Sequence, residues 1–394
     1  MRVALYYPWI YLKGGAERAL YELVTRSRHS WTVYTNHFEP DATFPGFREL
    51  DVIKLPEISV RRNVRSVVSA ALTVTLQSID MSGHDAAVTF SEGLGNLVAM
   101  RLKIPTTCVC LTPLKVLYDD VTYQRFFDSQ RRGHYRAALA VYQAVDRHTW
   151  RHYDRVFCIS ETVRERLLAN HLIEEDRIEV LHPGVDHERF RPNGASEHLF
   201  LLPGRIMWQK NIELAIESWR FFKPHPSDND YRLVVAGMVD AKSRPYLESL
   251  RQMVTWRDDV EFICSPDDET LHRLYRRALG VLFTAPSEDF GLVPLEAMAC
   301  GKPVIAQRRG GPTETIIDGE TGILTSGEPR AFAAAMKRLA GMSQMQLSAM
   351  QNDARARAVG FDWKYFVGRI DDHLEDAAAH RTYGRRDLVR SVLA

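Results

Sequence analysis

The stretch "GVLFTAPSEDFGLVPLEAMACGKPVIAQ", residues 280–307, predicts the unit from which this chain is folded. An apolar run typical of a buried strand comes first, a loop carrying Glu288 follows, and a second apolar run begins after Pro303. Between them we expect a helix that begins near Pro294, since proline is favoured at the first helical position, and that closes at Gly301. Two apolar strands joined by a helix are typical of a parallel pair.

The same alternation of short apolar runs and helical stretches extends along the chain. Near the start, "RVALYYP" leads into "GGAERALYELVTRS", and the pattern restarts with "HLFLLPGR" and "NIELAIESWRFF". Continuously apolar strands that alternate with helices indicate parallel sheets covered on both faces. We therefore predict an α/β protein with doubly wound parallel sheets, which bind ligands at the carboxyl ends of their strands.

The length of 394 residues favours two domains, because one hydrophobic core rarely serves so long a chain. The segment "LHPGVDHERFRPNGASEH", residues 181–198, interrupts the alternation and is rich in proline, glycine and polar residues, so it is the best linker candidate. We predict an N-terminal domain over residues 1–190, a C-terminal domain over residues 191–360 and a terminal segment over residues 361–394.

Composition narrows the class of protein. The formal net charge of +1 gives no reason to expect nucleic acid as a partner, and 45% hydrophobic with 26% charged residues is ordinary for a globular protein. The opening "MRVALYYPW" resembles a strand rather than a signal peptide, and no run of about 18 apolar residues could span a membrane. Five cysteines without Cys-x-x-Cys spacing lie in or beside apolar segments: Cys108, Cys110, Cys158, Cys264 and Cys300. We expect buried, reduced thiols and a cytoplasmic protein.

Two glutamates flank the loop and helix of the opening stretch. Glu288 lies on the loop at the end of a strand, and Glu296 falls in the first turn of the expected helix. The backbone N–H groups of residues 290–293 should point into the same space, and such a helix start attracts phosphate. Carboxylates accept hydrogen bonds from paired hydroxyls, such as those of a ribose. The alternatives are a glutamate that complements the helix dipole and a solvated loop side chain.

Two cations follow the first strand of the C-terminal half, in "LLPGRIMWQKNIELAIESW". Arg205 comes directly after the strand, Lys210 just before the helix, and Gly204 lies where the backbone turns. Two cations at one strand–helix junction can clamp a diphosphate, although single surface cations are usually only solvated.

Glycines open two further helices. Gly14 and Gly15 follow the first strand, where they would let backbone amides approach an anion or a sugar closely. The stretch "RRGGPTE", residues 308–314, is another glycine-rich helix start. Neither is a Gly-x-Gly-x-x-Gly fingerprint.

Together, "PGRIMWQKN", "SEDFGLVPLEAMACGKPVIA" and "GGPTETIIDGETGIL" resemble the retaining glycosyltransferases of family 4, the "glycosyl transferases group 1". That family has the GT-B fold, with two Rossmann-like domains facing across a cleft, and its most specific mark is the E-x7-E motif, here Glu288 to Glu296. The resemblance covers the C-terminal half; the N-terminal half matches in outline, through "GGAER", "CLTPLKVLYD" and "CISETVRERLL". The terminal "FDWKYFVGRIDDHLEDA" resembles the family's helix that crosses back onto the first domain.

The resemblance implies a nucleotide-diphosphate sugar as donor, with a GDP- or UDP-sugar both open, and a hexose of mannose or glucose type. It implies that Arg205 and Lys210 hold the diphosphate, Glu296 the ribose and Glu288 the hydroxyls of the transferred sugar. The backbone of the remaining matched positions would border the sugar or phosphate (Phe290, Gly291, Leu292) and the base (Ile263, Cys264).

The expected chemistry follows from the leaving group. Negative charge develops on the departing diphosphate, and preorganised cations stabilise it while the acceptor hydroxyl is aligned. In this family a diphosphate oxygen is taken to receive the acceptor's proton, so the resemblance implies no nucleophile, no cofactor and no metal. Glu288 and Glu296 would then bind substrate rather than act as the acid/base pair of a glycosidase. The resemblance implies retention of the donor's anomeric configuration.

One position departs from the family. Many relatives that transfer mannose read His-Thr-Pro where this chain reads Leu111-Thr112-Pro113. Either another residue takes the place of the histidine, with Glu92 and Asn96 of "SEGLGN" as candidates, or the histidine is dispensable here.

Two patterns offer a metal-assisted alternative. Asp228 and Asp230 form an Asp-x-Asp sequence, but they precede a strand in a polar loop and are typical of a turn. His148 and His152 share one face of an expected helix without a third ligand.

Residues 59–79 combine arginines with an apolar stretch, and residues 123–155 mix arginines with aromatics. Such segments suit an anionic membrane or a lipid-diphosphate acceptor, which would make the protein peripheral at the inner membrane face. The alternative is amphipathic helices with aromatics in the core and solvated arginines. The residues concerned are Arg61, Arg62, Arg65, Arg125, Phe126, Phe127, Arg131, Arg132 and Trp150.

Three functions fit these observations. The favoured one is a hexosyltransferase that acts on a hydroxyl acceptor, lipid-linked or polysaccharide. The others are a nucleotide-sugar epimerase or hydrolase of the same fold, and a non-catalytic sugar-nucleotide-binding protein.

Overall fold

The computed structural model describes residues 1–60, 64–128, 135–223, 225 and 230–392. The chain forms two compact units, each with its own parallel sheet. Unit 1 comprises Met1–Pro183 and Trp363–Ala394, and unit 2 comprises Gly184–Asp362.

Unit 1 contains a seven-stranded sheet of order β5-β3-β1-β6-β7-β8-β9, in which every neighbouring pair is parallel, and a small parallel pair of β2 and β4. Its strands are β1 (Arg2–Tyr6), β2 (Trp9–Ile10), β3 (Ser30–Thr35), β4 (His37–Phe38), β5 (Val52–Lys54), β6 (Ala86–Ser91), β7 (Thr106–Cys110), β8 (Arg155–Cys158) and β9 (Ile178–Val180). Its helices before the linker are α1 (Gly15–Arg26), α2 (Val64–Leu76), α3 (Lys115–Tyr118), α4 (Asp120–Asp128), α5 (Tyr135–Thr149) and α6 (Glu161–Ala169). Short 3₁₀ helices span Pro45–Glu49, Leu94–Arg101, Trp150–His152 and Glu175–Arg177.

Unit 2 contains a six-stranded, all-parallel sheet of order β12-β11-β10-β13-β14-β15. Its strands are β10 (Leu199–Pro203), β11 (Arg232–Gly237), β12 (Val260–Cys264), β13 (Gly280–Phe283), β14 (Val304–Gln307) and β15 (Gly322–Thr325). Its helices are α7 (Ile212–Phe222), α8 (Arg244–Met253), α9 (Asp268–Arg277), α10 (Leu292–Ala299), α11 (Pro312–Thr315), α12 (Pro329–Ala340) and α13 (Gln344–Val359), with a 3₁₀ turn over Trp208–Lys210.

Burial along the strands follows the apolar runs of the sequence. Every residue of β6, β7, β10 and β13 is buried, as expected where helices cover both faces of a sheet. Val281 pairs with Leu201 on one side and Val304 on the other, which places β13 next to β10 and β14. The prediction of doubly wound parallel sheets is confirmed.

The terminal helix, α14 (Trp363–Val392), belongs to unit 1. Asp371 is buried, and its carboxylate accepts hydrogen bonds from the Ser27 hydroxyl at 2.6 Å and the Arg28 amide at 3.1 Å. Glu179 accepts two hydrogen bonds from the Arg369 guanidinium, at 2.6 and 2.7 Å. Polar contacts therefore hold the first turns of this helix against the end of α1 and against β9.

The cysteines differ from the prediction at one position. All five are free thiols, and four of them are buried, but Cys264 at the end of β12 is exposed. Strand β12 is at the edge of its sheet, so its end has a neighbour on one side only. Over the described ranges, no helix combines the length and the apolar character needed to cross a bilayer.

Candidate active site

Three loops of unit 2 meet at the carboxyl ends of β10, β13 and β14, which are neighbours in one parallel sheet. The loops span residues 204–211, 284–291 and 308–311. The first carries the predicted cations and the second carries Glu288, so the sheet brings the two predicted motifs to one edge.

A short ion pair at this edge joins Lys210 and Glu288. The Lys210 ammonium donates to Glu288 Oε2 at 2.5 Å, and the two side chains are 21% and 24% exposed. The same ammonium lies 5.3 Å from the centroid of the Phe283 ring, and the Thr284 hydroxyl donates to the Lys210 carbonyl at 2.7 Å. A half-buried ion pair attracts more strongly than one in open water, so both groups are held where a ligand would meet them.

Arg205 lies directly after β10 and is half-buried. Within the described ranges, its guanidinium makes no hydrogen bond and no ion pair. The pKa of Asp240 lies below its usual value. Burial raises it, but hydrogen bonds from Ser243 and the nearby charges of Lys242 and Arg205 outweigh that effect. Of the two predicted cations, Lys210 is thus engaged by a carboxylate and Arg205 keeps its donors available.

The backbone is tightly packed beneath these cations. Gly204 has φ of +127°, a conformation that favours glycine, and a β-carbon placed on Gly237 would lie 1.6 Å from the Gly204 carbonyl oxygen. Only glycine fits at Gly237, which ends β11. Gly237 was not among the predicted site residues; its signal in the sequence is a glycine at the end of the apolar run "RLVVAG".

The glycine-rich stretch at residues 308–314 packs on the Glu288 loop. The Gly311 amide donates to the Glu288 carbonyl at 3.0 Å. A β-carbon on Gly310 would lie 2.4 Å from that carbonyl oxygen, and one on Gly311 would lie 2.2 Å from the Phe290 Cα. The two glycines therefore let one loop fix the backbone of the other.

Helix α10 begins earlier than predicted, at Leu292 instead of near Pro294. Gly291, with φ of +88°, forms the N-cap, and Pro294 occupies the first turn, where its missing N–H has no partner to lose. Glu296 consequently lies in the second turn, and the prediction of a first-turn position was wrong. The predicted end is confirmed, because the Gly301 and Lys302 amides donate to the Met298 and Ala297 carbonyls in a Schellman motif.

Glu296 has a hydrogen-bond partner, Tyr275, that its sequence motif did not predict. The Tyr275 hydroxyl on α9 donates to Glu296 Oε2 at 2.7 Å, and Tyr275 is fully buried. Burial, reinforced by the Glu296 carboxylate, raises the pKa of Tyr275 well above its usual range, so the phenol stays protonated and remains a donor.

Ile263 and Cys264 close β12, two strands from β10 in the same sheet. The chain turns after them through Ser265, whose φ is +49° and whose amide donates to the Gly237 carbonyl at 2.7 Å. Cys264 is exposed there, and the Arg251 guanidinium lies 3.9 Å from its sulfur.

Two family models match the chain. The model described as "Glycosyl transferases group 1" matches residues 186–357, and the one described as "Glycosyltransferase Family 4" matches residues 13–189. The chain belongs to glycosyltransferase family 4. The resemblance inferred from its motifs is therefore confirmed.

Individual relatives agree with the family. The chain is 31% identical over 245 residues to the D-inositol 3-phosphate glycosyltransferase of Acidothermus cellulolyticus, a match that covers 58% of this chain and 54% of that protein. The chain thus spans about half the length of the curated relatives it matches.

Solved structures share the GT-B fold. Sucrose-phosphate synthase from Thermosynechococcus elongatus superposes with a TM-score of 0.73 at 20% identity, covering 99% of this chain and 100% of that one. Anabaena HepE in complex with UDP has a TM-score of 0.72 at 19% identity, covering 95% and 100%. The predicted fold class is confirmed.

In unit 1, the first two glycines lie at the start of a helix, as predicted. Gly14 is the N-cap of α1, and Gly15 is its first residue. A β-carbon on Gly14 would lie 2.5 Å from a carboxylate oxygen of Glu17, so the glycine leaves room for that buried side chain.

The departure at Leu111 lies at the end of β7 in a buried position. Of the two substitutes suggested for the histidine, Asn96 does not fit. It is fully buried, its amide nitrogen donates to Asp146 at 3.4 Å, and its oxygen accepts from the Tyr153 hydroxyl at 3.2 Å. Both ends of the amide are engaged inside the unit. Glu92 is half-buried and remains the candidate of the pair.

The metal alternatives gain no support from contacts. Asp230 pairs with His198 Nδ1 at 2.6 Å at the start of β11, while Asp228 lies outside the described residues. His148 and His152 meet edge to face with ring centroids 5.3 Å apart. In the described part of the chain, no three His, Cys, Asp or Glu side chains are grouped as a metal site.

The residues of the predicted basic and aromatic segments fall into three groups: buried, exposed, and outside the described residues. Trp150 is fully buried and its indole donates to Asp146 at 3.1 Å, so it belongs to the core and not to a surface. On α2, Val68, Leu72 and Leu76 are exposed, as is Arg65. Arg61, Arg62, Arg131, Arg132 and the side chains of Arg125, Phe126 and Phe127 lie outside the described residues.

Proposed function

We propose that the chain is a retaining glycosyltransferase that moves a hexose, of mannose or glucose type, from a nucleotide-diphosphate sugar to a hydroxyl acceptor. The observation that carries the proposal is the 2.5 Å contact between Lys210 and Glu288, because it brings an anion-binding group and a hydroxyl-binding group to one edge of the unit 2 sheet. Family membership supports the same reaction class.

The proposed roles distribute the donor along that edge. Arg205 and Lys210 hold the diphosphate and neutralise the charge that develops on it as the bond to the sugar breaks. Glu288 accepts hydrogen bonds from the sugar, with the backbone of Phe290, Gly291 and Leu292 beside it. Glu296 takes the ribose, Ile263 and Cys264 border the base, and Gly204 permits the turn beneath the phosphates. In unit 1, Gly14 and Gly15 present backbone amides to the donor.

The Lys210–Glu288 pair has a consequence for binding. A diphosphate that arrives at this edge meets a lysine already oriented by a carboxylate, so little side-chain entropy remains to be lost. As the phosphates engage the ammonium, Glu288 becomes available to the sugar hydroxyls. The protein cations take the charge-neutralising role that a divalent ion has in other transferases, so we expect activity without added metal and without a cofactor.

The donor is proposed to be a UDP- or a GDP-sugar. HepE, a structural neighbour at 18% identity, has been solved with UDP-glucose. A thermal-shift panel of UDP, GDP and their glucose and mannose derivatives tests the choice, because a ligand that binds only the folded state raises the melting temperature. A panel without any nucleotide-dependent shift would contradict the donor assignment.

The acceptor is proposed to be a hydroxyl, lipid-linked or on a polysaccharide. Since the curated relatives are named for D-inositol 3-phosphate, a polyol phosphate belongs first in the acceptor panel. Donor turnover measured with and without acceptor separates the classes: a transferase needs the acceptor, a hydrolase or epimerase turns over without it, and a binding protein does neither. The product linkage, read by NMR in excess chelator, tests retention and metal independence together.

We further propose a peripheral contact of a cytoplasmic enzyme with an anionic membrane. Its support is α2, on which Val68, Leu72 and Leu76 are spaced four residues apart and are 48%, 57% and 67% exposed. The helix contains no acidic residue and carries the exposed Arg65. An apolar stripe with basic residues suits an anionic lipid surface. Co-sedimentation with phosphatidylglycerol vesicles, absent with phosphatidylcholine and lost in Leu72→Glu, is the expected result; equal sedimentation of the variant would contradict it.

A further inference from the structure

Tyr275 is a fully buried tyrosine with a single polar contact. Its hydroxyl donates to Glu296 Oε2 at 2.7 Å, and among the residues that the structure describes Glu296 is the only hydrogen-bond partner of that hydroxyl. Burying a phenol hydroxyl without an acceptor would carry the full cost of its lost hydration. Tyr275 therefore needs Glu296 as its acceptor. The question is what the contact does for Glu296.

The ring of Tyr275 is fixed in place. It meets Phe190 edge to face with centroids 5.6 Å apart, and Phe190 also meets His272 of the same helix at 4.7 Å. The helix itself starts at a capped N-terminus, where the Asp267 side chain accepts from the Thr270 amide at 2.8 Å. The hydroxyl is therefore presented from a rigid element.

Glu296 by contrast is half-buried, with a side chain that has three rotatable bonds. A carboxylate that accepts hydrogen bonds from two adjacent hydroxyls must present its plane in one orientation, and ordering a glutamate side chain on binding costs affinity. A hydrogen bond from a fixed phenol to one oxygen sets that orientation before the ligand arrives. A bond from a neutral donor to a carboxylate is also among the stronger protein hydrogen bonds.

We propose that Tyr275 is a positioning residue for the nucleotide ribose, acting through Glu296. The inference rests on the proposed function, in which Glu296 accepts the ribose hydroxyls. Tyr275 touches no part of the donor in this arrangement; it fixes the carboxylate that does. It lies on α9, outside both motifs, and belongs to the binding machinery through one contact.

The test is a double-mutant cycle on nucleotide affinity. Calorimetry measures the Kd of UDP and of GDP for the wild type, Tyr275→Phe, Glu296→Ala and the double variant. We expect Tyr275→Phe to weaken binding of the cognate nucleotide about tenfold, the scale of one hydrogen bond to a charged group. In the Glu296→Ala background the same change should alter Kd less than twofold, because the group through which it acts is gone.

Steady-state kinetics provide a second readout. Tyr275→Phe should raise the donor KM and leave kcat nearly unchanged, because the ribose contact is the same in the ground state and the transition state. The matched control is Tyr6→Phe, which removes a buried tyrosine hydroxyl bonded to Asn36 at 2.7 Å in unit 1. It should lower the melting temperature as Tyr275→Phe does and leave the nucleotide Kd unchanged.

The outcomes separate the inference from the function beneath it. If the two single changes weaken binding additively, or if Tyr275→Phe binds as the wild type does, Tyr275 has no positioning role while the proposed function stands. If the wild type binds neither UDP nor GDP, the proposed function fails and takes the inference with it.

Discussion

The two units of this protein differ in how their charged and polar side chains are exposed. At the carboxyl edge of the unit 2 sheet, charged side chains are half-buried and near solvent: Lys210 held by Glu288, and Arg205 with its donors available. In unit 1, by contrast, a polar network lies inside the core. Asn96 and Asp146 are completely buried and bonded to one another, and Leu111 fills the position where many relatives carry a histidine.

This difference indicates that the edge of the unit 2 sheet is the one suited to bind a charged ligand. Half-buried charge is costly unless something compensates it, so a cation kept near solvent at a glycine-lined edge is suited to an incoming anion. A buried network whose groups are mutually satisfied stabilises its unit and offers nothing to a ligand. Under the proposed function, the edge of unit 2 binds the donor through its charges, and any recognition by unit 1 uses other groups.

The largest expected effect concerns the two cations. Replacing Arg205 or Lys210 by alanine should lower turnover by roughly 10²-fold or more, the scale for removing a preorganised electrostatic contact from a transition state. The measurement is kcat/KM for donor turnover. Lys337→Ala, an exposed lysine on α12, is the matched control and should retain activity. A double Arg205/Lys210 variant with near-normal turnover would remove the diphosphate assignment and with it the contrast between the edges.

The two glutamates should separate by what they bind. Glu296→Ala is expected to weaken binding of the bare nucleotide diphosphate by about tenfold or more, since a lost hydrogen bond to a charged group is worth about 1.5–3 kcal/mol. Glu288→Ala should spare that affinity and damage transfer, because it is assigned to the sugar. Calorimetry with the nucleotide and kinetics with the nucleotide sugar give the two readouts. Equal loss of nucleotide affinity in both variants would contradict the division.

Asn96 provides the corresponding change in the buried network of unit 1. Asn96→Ala leaves Asp146 without one of its donors in the core and should destabilise the protein by about 1–3 kcal/mol, with the nucleotide Kd unchanged. Urea unfolding measures the stability. Glu92→Ala should cost less than about 0.5 kcal/mol, as for most surface changes. If Glu92→Ala lowers transfer while Asn96→Ala does not, the half-buried glutamate stands in for the missing histidine; a stability-neutral Asn96→Ala would refute the network.

How much the sequence predicted depends on the range of the interaction. Continuously apolar runs predicted the buried strands, and Gly301 predicted the end of α10, because both depend on neighbours within a few residues. The start of α10 was misplaced, since Gly291 with its positive φ allows an earlier turn than Pro294 suggested.

Contacts between distant segments were not predictable in this way. Motif positions placed Lys210 and Glu288 at strand ends, but their contact joins residues 78 apart in the chain. The Tyr275–Glu296 bond and the packing of Gly311 on Phe290 likewise depend on how neighbouring elements stack. Asn96 was a candidate to replace the missing histidine, and only the burial and hydrogen bonds of its side chain exclude it.

The smallest expected effect uses the cysteines to compare the edges directly. Cys264 ends β12 in unit 2 and is exposed, whereas Cys110 and Cys158 end β7 and β8 in unit 1 and are buried. Burial raises the pKa of Cys158, which further lowers its reactivity. A mild alkylating reagent should therefore modify one thiol in the native protein, and mass spectrometry should locate it at Cys264.

Ligands then report which end of the donor lies at that thiol. If the base borders Cys264, saturating cognate nucleoside diphosphate should slow alkylation, while pyrophosphate, which can occupy only the cations, should not. The alkylation rate of the unfolded chain, where all five thiols react, provides the unprotected reference. Protection by pyrophosphate equal to that by the nucleotide would place the phosphates at β12 and reverse the proposed direction of the donor. Protection by neither would place the base elsewhere and leave the edge of unit 2 defined by Arg205, Lys210 and Glu288 alone.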